Sequence, residues 1–186
     1  MPPDKNLLLV SSSGGKNYDL ASNLKDIVDS RSNLITKLIN LELYDLPLYI
    51  PDLNSDNNIA KELSNEFENA NAFIFCAPEY NGGSPPILTN AITWISLSTD
   101  NWRDGFNGKP ALIGTNSGGD GVSFLRSFRS QLEYMGTVVM PKTISVNKNK
   151  EFNKESAERT IQSLICLLYT SPSPRDRTRS RMPSSA

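Results

Sequence analysis

Short apolar runs alternate with amphipathic segments along most of this chain, and this alternation constrains its fold more than any other feature. Continuous apolar runs bounded by turn residues predict buried strands. The predicted strands lie at residues 6–13, 34–40, 72–77, 110–115 and within 137–146. Apolar residues at helical spacing predict amphipathic helices between them. The predicted helices lie at about residues 18–29, 59–69, 87–97 and 122–135, and a last helix begins after Asn153, its predicted N-cap.

Five strands that alternate with five helices predict an α/β fold. Right-handed crossovers then place helices on both faces of a five-stranded parallel sheet. In such sheets, small-molecule sites lie beyond the carboxyl ends of the strands, where the strand order reverses. The loops after the first, third and fourth predicted strands are polar and rich in glycine, so we expect them to form the site. The 186 residues suffice for one domain with a packed core and are too few for two.

The composition excludes several classes of function. The sequence contains no histidine, which rules out Ser-His-Asp and Cys-His catalytic systems and the HExxH zinc site. With 19 basic and 20 acidic residues, the chain has no net field that would attract nucleic acid. No apolar stretch reaches the roughly 20 residues that a membrane helix needs. Cys76 and Cys166 cannot form a disulfide framework, and the first residues lack a secretory leader. We therefore expect a cytoplasmic protein without a metal site and without nucleic-acid or membrane partners.

The first of the three loops, residues 11–17, has the sequence SSSGGKN. Its hydroxyls, its lysine and the N–H groups at the start of the next helix suit a phosphate, because these donors and the helix dipole both favour an anion. The loop lacks the GxGxxG spacing of a dinucleotide fold and the GxxxxGK(S/T) of a P-loop. A Ser- and Gly-rich turn that binds nothing is therefore an equal alternative on the loop's residues alone.

The second loop, residues 78–86, has the sequence PEYNGGSPP and follows the predicted central strand. Its prolines and glycines predict a fixed turn with main-chain N–H groups pointing outward, and Tyr80 adds an aromatic face. Such a loop can hold a planar heterocycle through main-chain hydrogen bonds. The third loop, residues 116–121, adds a Gly-rich surface nearby.

Three stretches of the sequence resemble the NADPH-dependent FMN reductase family. The string PEYNGGSPPILTNAITWIS is similar to the family's signature of a flavin loop and the helix that follows it. The segment SSSGGKNYDLA resembles the start of the family's pattern, and KPALIGTNSGGDGVSFLRSFRSQLEYMGTVVMP resembles its third conserved block. The resemblance covers nearly all of residues 1–165 and implies a flavodoxin-like three-layer fold.

The resemblance also implies that FMN is the cofactor, and it suggests which residues hold it. Ser11, Ser13 and Asn17 would cradle the phosphate, and Lys16 would replace the charge of the family's phosphate-contacting Arg, which this chain lacks. Five residues of the second loop would lie along the isoalloxazine ring and the ribityl chain: Pro78, Glu79, Tyr80, Asn81 and Gly82. From the third loop, the flavin contacts would be Ser117 and Gly118. No side chain is expected to act as a catalytic acid or base.

The implied function is an NAD(P)H-dependent oxidoreductase that uses FMN to transfer hydride to a small acceptor: a quinone, a flavin, an azo compound or a metal oxyanion. NADPH or NADH would be the co-substrate. Two alternatives stay open: a flavodoxin-type FMN electron carrier without nicotinamide activity, and a flavin-less binding protein of the same fold. The predicted helix at 87–97 is apolar on two sides, so we also expect a homodimer or homotetramer, as the family resemblance implies.

Four further side chains have two interpretations each. For Glu79 we favour a structural hydrogen bond, such as one across subunits, over a role as catalytic base. For Trp94 we favour packing in the core or a subunit interface over stacking on a flavin. Trp102 and Arg103 would line either the substrate pocket or a solvated or interface loop.

Residues 166–186 differ abruptly in composition from the rest of the chain. The string CLLYTSPSPRD resembles the translation of a transposon-end sequencing adapter, and SRMPSSA resembles the continuation of that adapter. We therefore expect a domain at 1–165 that is cut short at its C-terminus, followed by a non-native disordered tail at 166–186 that makes no consistent contact with it. The alternative is a native, disordered basic tail.

Overall fold

The computed structural model describes residues 5–51 and 57–170, in which strands and helices alternate. The strands are β1 (Asn6–Ser11), β2 (Ile35–Asn40), β3 (Ala72–Cys76), β4 (Pro110–Asn116), β5 (Val138–Val139) and β6 (Ile144–Val146). The helices are α1 (Lys16–Arg31), α2 (Asn58–Asn69), α3 (Pro86–Leu97), α4 (Val122–Tyr134) and α5 (Lys154–Thr170). The first four strands and the first four helices begin and end within two residues of their predicted positions. Asn153 caps α5 as predicted, because its Oδ1 accepts the N–H of Ser156 at 2.8 Å.

Every described pairing in the sheet is parallel, and the strand order is β2-β1-β3-β4-β5, with β6 beside β4. The chain runs outward from β1 to β2 and then returns to the other side of β1 to form β3. The strand order therefore reverses between β1 and β3, where ligands of such sheets bind. This order confirms the predicted α/β, flavodoxin-like fold.

The predicted fifth strand is divided into two short strands. β5 pairs with the start of β4, at Pro110 and Ala111, and β6 pairs with its end, from Gly114 onward. Pro141 lies between β5 and β6 and has no N–H to donate to a neighbouring strand. The guanidinium of Arg129 instead donates to carbonyl oxygens of this interruption, including that of Met140 at 2.5 Å. The described sheet therefore has six strands where the sequence predicts five.

Alternate residues of the central strands face two hydrophobic clusters. Leu8 and Val10 of β1 belong to the cluster against α2, α3 and α4. This cluster contains six fully buried phenylalanines: Phe67, Phe73, Phe75, Phe106, Phe124 and Phe128. Leu7 and Leu9 belong to the cluster against α1 and α5. Helices thus cover both faces of the sheet, and none of the helices in the described ranges is long and apolar enough to cross a membrane.

The second apolar side of α3 is covered within the chain. The ring of Trp94 meets Tyr49 edge-on at a centroid distance of 5.3 Å, and its Nε1 donates to the carbonyl of Pro47 at 2.8 Å. Trp94 is 3% exposed, whereas Leu97 at the end of the helix is 55% exposed. The expected packing of Trp94 in the core is therefore confirmed, because the chain preceding α2 covers this side of the helix. The homodimer or homotetramer stays a prediction.

Helix α5 continues through Thr170, past the predicted end of the domain. Leu168 is 3% exposed and continues the apolar spacing of Ile161 and Leu164. The Lys5 ammonium also donates to the carbonyl of Leu168 at 2.6 Å. The prediction that nothing after Ile165 contacts the domain was therefore wrong for the residues up to 170, whose leucines extend the helical apolar face. Residues 171–186 lie outside the described residues, and the resemblance to an adapter stays a prediction.

We expect a chain that stops at Ile165 to be less stable than one that stops at Thr170. The shorter chain loses the buried Leu168 side chain, which costs roughly 2 kcal/mol and lowers Tm by roughly 4–8 °C. Thermal unfolding of the two chains measures the difference. In the longer chain, Leu168→Ala should reproduce most of the loss, whereas Cys166→Ser on the exposed side of α5 should not. Equal Tm values for the two lengths would contradict the packing of Leu168.

A buried lysine joins β4 to α2 at the amino edge of the sheet. Lys109 is 8% exposed, and its Nζ donates to the carbonyls of Phe67 at 2.6 Å and Glu68 at 2.9 Å in the last turn of α2. Burial lowers the pKa of Lys109 from its ordinary 10.5 to about 8, although the nearby Glu68 and Asp104 carboxylates favour its charged form. The folded state therefore binds the Lys109 proton more weakly than the unfolded state does.

The lower pKa of Lys109 in the folded state predicts that the protein becomes more stable as the pH rises from about 8 to 10.5. Below pH 8 both states are protonated, and the full cost of the buried charge is present. Above 8 the folded state releases the proton first, which removes a cost on the order of 3 kcal/mol. Urea unfolding at several pH values should show this rise in the wild type and not in Lys109→Met. Lys154→Met, at an exposed position, should follow the wild-type profile. Parallel profiles for the wild type and Lys109→Met would overturn the prediction.

Candidate functional site

Three loops meet at the carboxyl edge of the sheet. The first loop (11–17) follows β1, the second loop (78–86) follows β3, and the third loop (116–121) follows β4. β3 lies between β1 and β4 in the sheet, so the three loops leave neighbouring strands at the same edge. The predicted convergence of these loops is confirmed, and they surround the point where the strand order reverses.

Asn17 joins the first loop to the third. Its Nδ2 donates to the carbonyl of Asn116 at 2.9 Å, and its Oδ1 accepts the Asn116 N–H at 2.8 Å. The Asn17 side chain is 4% exposed. Both ends of its amide therefore hold main chain, and direct contact between Asn17 and a phosphate stays a prediction.

Glu79 joins the second loop to the third and to α4. Its main-chain N–H donates to the Ser117 hydroxyl at 2.8 Å, and that hydroxyl also lies 2.7 Å from the hydroxyl of Thr115. The Glu79 carboxylate accepts the N–H of Phe124 at 2.9 Å, in the first turn of α4. The residue that precedes α4, Gly121, offers no side-chain cap. Glu79 therefore caps a helix within its own chain and makes this structural contact without a second subunit.

Gly121 is required at its position for two reasons. Its φ of 65° is in the left-handed region, which glycine adopts without strain. An added Cβ would also lie 2.7 Å from the Thr115 methyl carbon, which is closer than carbon atoms pack. Any side chain there would push α4 away from the loop that Glu79 holds.

The second loop turns sharply beyond Glu79. Tyr80 and Gly83 exchange main-chain hydrogen bonds of 3.1 and 2.9 Å, and the two residues between them, Asn81 and Gly82, have φ values of 50° and 74°. Positive φ at both positions is typical of a type I′ turn, for which Asn-Gly is the preferred sequence. Tyr80 is 54% exposed, and Asn81 and Gly82 are also exposed, whereas Pro78 is buried. The turn therefore places one aromatic ring at the edge of the site.

The first loop leaves hydrogen-bonding groups available at the start of α1. Gly15 precedes the helix with a φ of 62°, and no side chain in the described part of the chain caps it. The Ser11 hydroxyl is occupied, because it donates to the carbonyl of Ser13 at 2.6 Å. Ser12 is 1% exposed, and its hydroxyl has no hydrogen-bond partner among the described residues. Sequence reasoning overlooked Ser12, because three consecutive serines carry no signal for which hydroxyl is left unpaired.

A carboxylate of the chain itself lies against this loop. The N–H of Gly14 donates to Oε2 of Glu42 at 2.6 Å, and Glu42 comes from the segment after β2. Lys16 is exposed in the first turn of α1 and is the one charged residue in the sequence of the first loop. Sequence reasoning also overlooked Glu42, which lies 28 residues away from Gly14.

The third loop leaves open space in front of its glycines. An added Cβ at Gly118 or Gly119 would meet no heavy atom within 4 Å. The next residue, Asp120, is anchored to the region of β6, because its carbonyl accepts the Ser145 hydroxyl at 2.9 Å and its carboxylate accepts Nδ2 of Asn147 at 2.8 Å. The third loop is therefore held at Ser117 and Asp120 and is exposed between them.

Several other polar or aromatic residues lie away from this site. Trp102 and Arg103 belong to the segment between α3 and β4, at the amino edge of the sheet, where the Arg103 guanidinium stacks 4.3 Å from the Trp102 ring centre. Of their two interpretations, the structure favours the solvated or interface loop, because the segment between α3 and β4 lies at the edge of the sheet opposite the three loops. Cys76 is fully buried, and burial raises the pKa of its thiol, so it packs as a small apolar residue.

A cleft of about 440 Å³ opens beside the edge strand β2. Its lining includes Tyr18, Asn40, Leu43, Tyr44 and Ile59, and it includes no residue of the second or third loop. We assign the site to the three loops and not to this cleft, because the unpaired hydroxyl, the uncapped helix and the exposed turn all lie at the loops. Among the described residues, no group of three or more cysteine, aspartate or glutamate side chains is placed to hold a metal ion.

Comparison with known proteins identifies related sequences. The family model described as NADPH-dependent FMN reductase matches residues 5–151. A 2-hydroxy-1,4-benzoquinone reductase from a Burkholderia species is 33% identical over 104 residues, which are 54% of this chain and 55% of that protein. A quinone reductase from Escherichia coli K12 is 32% identical over 103 residues, which are 53% of each chain. The matches thus span about half the length of these curated relatives.

Solved structures share the fold. The flavoenzyme NAD(P)H:(acceptor) oxidoreductase FerB from Paracoccus denitrificans superposes with a TM-score of 0.69 at 22% sequence identity. The superposition covers 89% of this chain and 96% of FerB. At this identity the likeness establishes the three-layer architecture.

The cap on α4 predicts different effects for two substitutions of Glu79. Glu79→Ala removes the acceptor of the Phe124 N–H and should lower the free energy of unfolding by about 1 kcal/mol. Glu79→Gln keeps an amide oxygen at the same distance along the side chain, so most of the stability should be retained. Urea unfolding measures both, and hydrogen exchange at the Phe124 amide should accelerate in the Ala variant. If Gln destabilises the chain as much as Ala does, a neutral amide oxygen is not enough to cap α4 and the charge of the carboxylate is needed.

Proposed function

The chain belongs to the NADPH-dependent FMN reductase family, and from this membership we propose that it is an FMN-dependent oxidoreductase that uses NADPH or NADH to reduce a small acceptor. The observation that carries the proposal is the convergence of three polar loops where the strand order reverses, all three within the residues that the family model matches. The acceptor classes we propose are quinones, flavins, azo compounds and metal oxyanions.

The first loop fits the phosphate of FMN. The Ser12 hydroxyl is buried without a partner, which costs about 1–3 kcal/mol unless a ligand or water bonds to it. The start of α1 lacks a side-chain cap and favours an anion through its N–H groups and dipole. We propose that Ser12, Ser13 and Lys16 hold the phosphate directly, and that Ser11 and Asn17 hold the loop in shape through their hydrogen bonds to main chain.

The second and third loops fit the rest of the cofactor. The I′ turn presents Tyr80, Asn81 and Gly82 at the edge of the site, and the space in front of Gly118 is open, which supports a position for the flavin ring there. We propose that Pro78 and Glu79 fix the start of the second loop and that Ser117 keeps it against the third. FMN, when bound, supplies the redox chemistry, namely the exchange of hydride with nicotinamide and with the acceptor.

No side chain of the site is proposed as a catalytic acid or base. The sequence has no histidine, and the Glu79 carboxylate is engaged by the Phe124 N–H. The tasks of the chain's own residues are therefore to bind the cofactor, to orient its ring through the second loop and to leave one side accessible.

We also propose that the protein acts in the cytoplasm as a homodimer or homotetramer and that the domain, which includes α5 through Thr170, carries the activity. With Trp94 covered, support for an oligomer comes from the exposed apolar side chains of Leu43, Leu48 and Leu97, which are 82%, 72% and 55% exposed. Exposed apolar side chains mark an interaction surface where they form one contiguous patch, and we propose that these leucines contact a second subunit in that way.

One observation favours a second candidate, a flavin-free binding protein of the same fold. The Glu42 carboxylate occupies the Gly14 N–H, as a ligand phosphate would. The two candidates differ in whether FMN binds, and a binding experiment separates them.

We expect the purified chain to bind FMN and then to oxidise NADPH or NADH when a quinone is added. Flavin fluorescence measures binding, and absorbance at the nicotinamide band measures oxidation. FMN binding without nicotinamide oxidation would indicate an electron carrier, and no FMN binding would favour the flavin-free candidate.

Ser12→Ala tests the assigned phosphate contact. The variant should bind FMN about tenfold more weakly and riboflavin as before, because one hydrogen bond to a charged group is lost. Without flavin, the same variant should be as stable as the wild type or more stable by about 1 kcal/mol, since an unpaired hydroxyl is removed. Ser30→Ala, at the other end of α1, is the matched control and should leave FMN binding unchanged. Unchanged FMN affinity in Ser12→Ala would place the phosphate elsewhere.

A further inference from the structure

The carboxylate of Glu42 lies directly on the main chain of the first loop. Its Oε2 accepts the Gly14 N–H at 2.6 Å, and an added Cβ at Gly14 would come within 3.1 Å of the same oxygen. The short distance is typical of a charge-assisted hydrogen bond. The loop therefore already binds one anion, which belongs to the chain.

The sheet itself positions Glu42 over the loop. Asn40, the last residue of β2, pairs with Ser11, the last residue of β1. The Asn40 side chain accepts the N–H of Glu42 at 3.1 Å, and the next turn is closed by the bond from the Tyr44 N–H to the carbonyl of Leu41. Leu41 is 1% exposed and anchors this turn in the core. Glu42 itself is exposed, and it is held close to Gly14 by a turn at the end of β2 that is anchored through the buried Leu41.

The hydrogen bond between Glu42 and Gly14 limits how a second anion can bind to the first loop. A main-chain N–H that donates to a carboxylate cannot donate to a phosphate at the same time. The sequence of the first loop contains one positive charge, Lys16, and the hydrogen bond of Glu42 to Gly14 adds a negative charge at the same loop. A phosphate entering the loop must therefore displace Glu42 from Gly14 or bind beside a like charge, and either event weakens its binding.

We propose that Glu42 is a specificity-determining residue that competes with phosphate for the first loop and so lowers the preference of the site for FMN over unphosphorylated flavin. The proposal rests on the proposed function for the identity of the ligand. When no phosphate is bound, the carboxylate satisfies the Gly14 N–H and keeps the loop in its anion-binding shape. When phosphate binds, Glu42 gives up this hydrogen bond.

The test compares Glu42→Gln with the wild type for two ligands, FMN and riboflavin. Removing the charge should tighten FMN binding about tenfold, and riboflavin binding should change less than about twofold. The matched control is Asp45→Asn, which removes one negative charge from the same exposed segment, and no described hydrogen bond or ion pair joins Asp45 to the first loop. This control should leave both affinities unchanged. In flavin-free protein, the Gly14 amide proton should shift upfield in Glu42→Gln, because a neutral amide oxygen is a weaker acceptor than a carboxylate.

Three results would overturn the inference: equal tightening of FMN by Glu42→Gln and Asp45→Asn, equal changes for both flavins, or weaker FMN binding in Glu42→Gln. If neither protein binds either flavin, the proposed function fails, and inorganic phosphate then tests the inference by itself. Tighter phosphate binding in Glu42→Gln, followed at the Gly14 amide, would uphold the competition. Equal or undetectable phosphate binding in both proteins would refute it.

Discussion

The candidate site depends on a few hydrogen bonds that tie three separate loops together. Asn17 binds both main-chain groups of Asn116, and Glu79 binds the Ser117 hydroxyl through its N–H and the Phe124 N–H through its carboxylate. Parallel strands bring the loops to one edge, but strand pairing ends before the loops begin. Side chains must therefore fix the distance between them, and these two residues do so from buried or half-buried positions. The remaining groups of the site are oriented on this frame.

The sequence predicts the elements well because burial in a parallel sheet leaves a strong pattern. β3 is apolar at every residue and buried at every residue, and α2 and α4 carry apolar residues at helical spacing. The pattern is weaker at the sheet edge, where β5 and β6 together have five residues and Pro141 separates them. The sequence analysis predicts a fixed turn in the second loop without its type. The type I′ geometry agrees with the Asn-Gly sequence, because this pair of residues prefers positive φ values.

Contacts between distant residues were beyond prediction from one sequence. The bond from Glu79 to Phe124 spans 45 residues and that from Glu42 to Gly14 spans 28, and periodicity carries no information about either. The same limit explains why the sequence did not show which surface covers Trp94. An apolar helix side predicts a partner surface without saying whether that surface belongs to the same chain, and here Pro47 and Tyr49 provide it. Leu168 illustrates the reverse case, because a composition that ends in a polar tail concealed a leucine on the buried face of α5.

The first loop contains two neighbouring polar groups in opposite states, and both affect how the proposed phosphate site would bind an anion without an arginine. The Ser12 hydroxyl is buried and unpaired, which destabilises the chain until something bonds to it. The Gly14 N–H is paired with Glu42, which stabilises the chain until something displaces it. A ligand phosphate would gain the first bond and break the second, so the two changes have opposite effects on its affinity. A loop built in this way holds its shape without a ligand, because an internal carboxylate occupies part of the site. In such a loop, a single residue outside it can change the affinity for phosphate. A substitution of Glu42 changes the bond that phosphate must break, and it leaves Ser12 and the start of α1 unchanged.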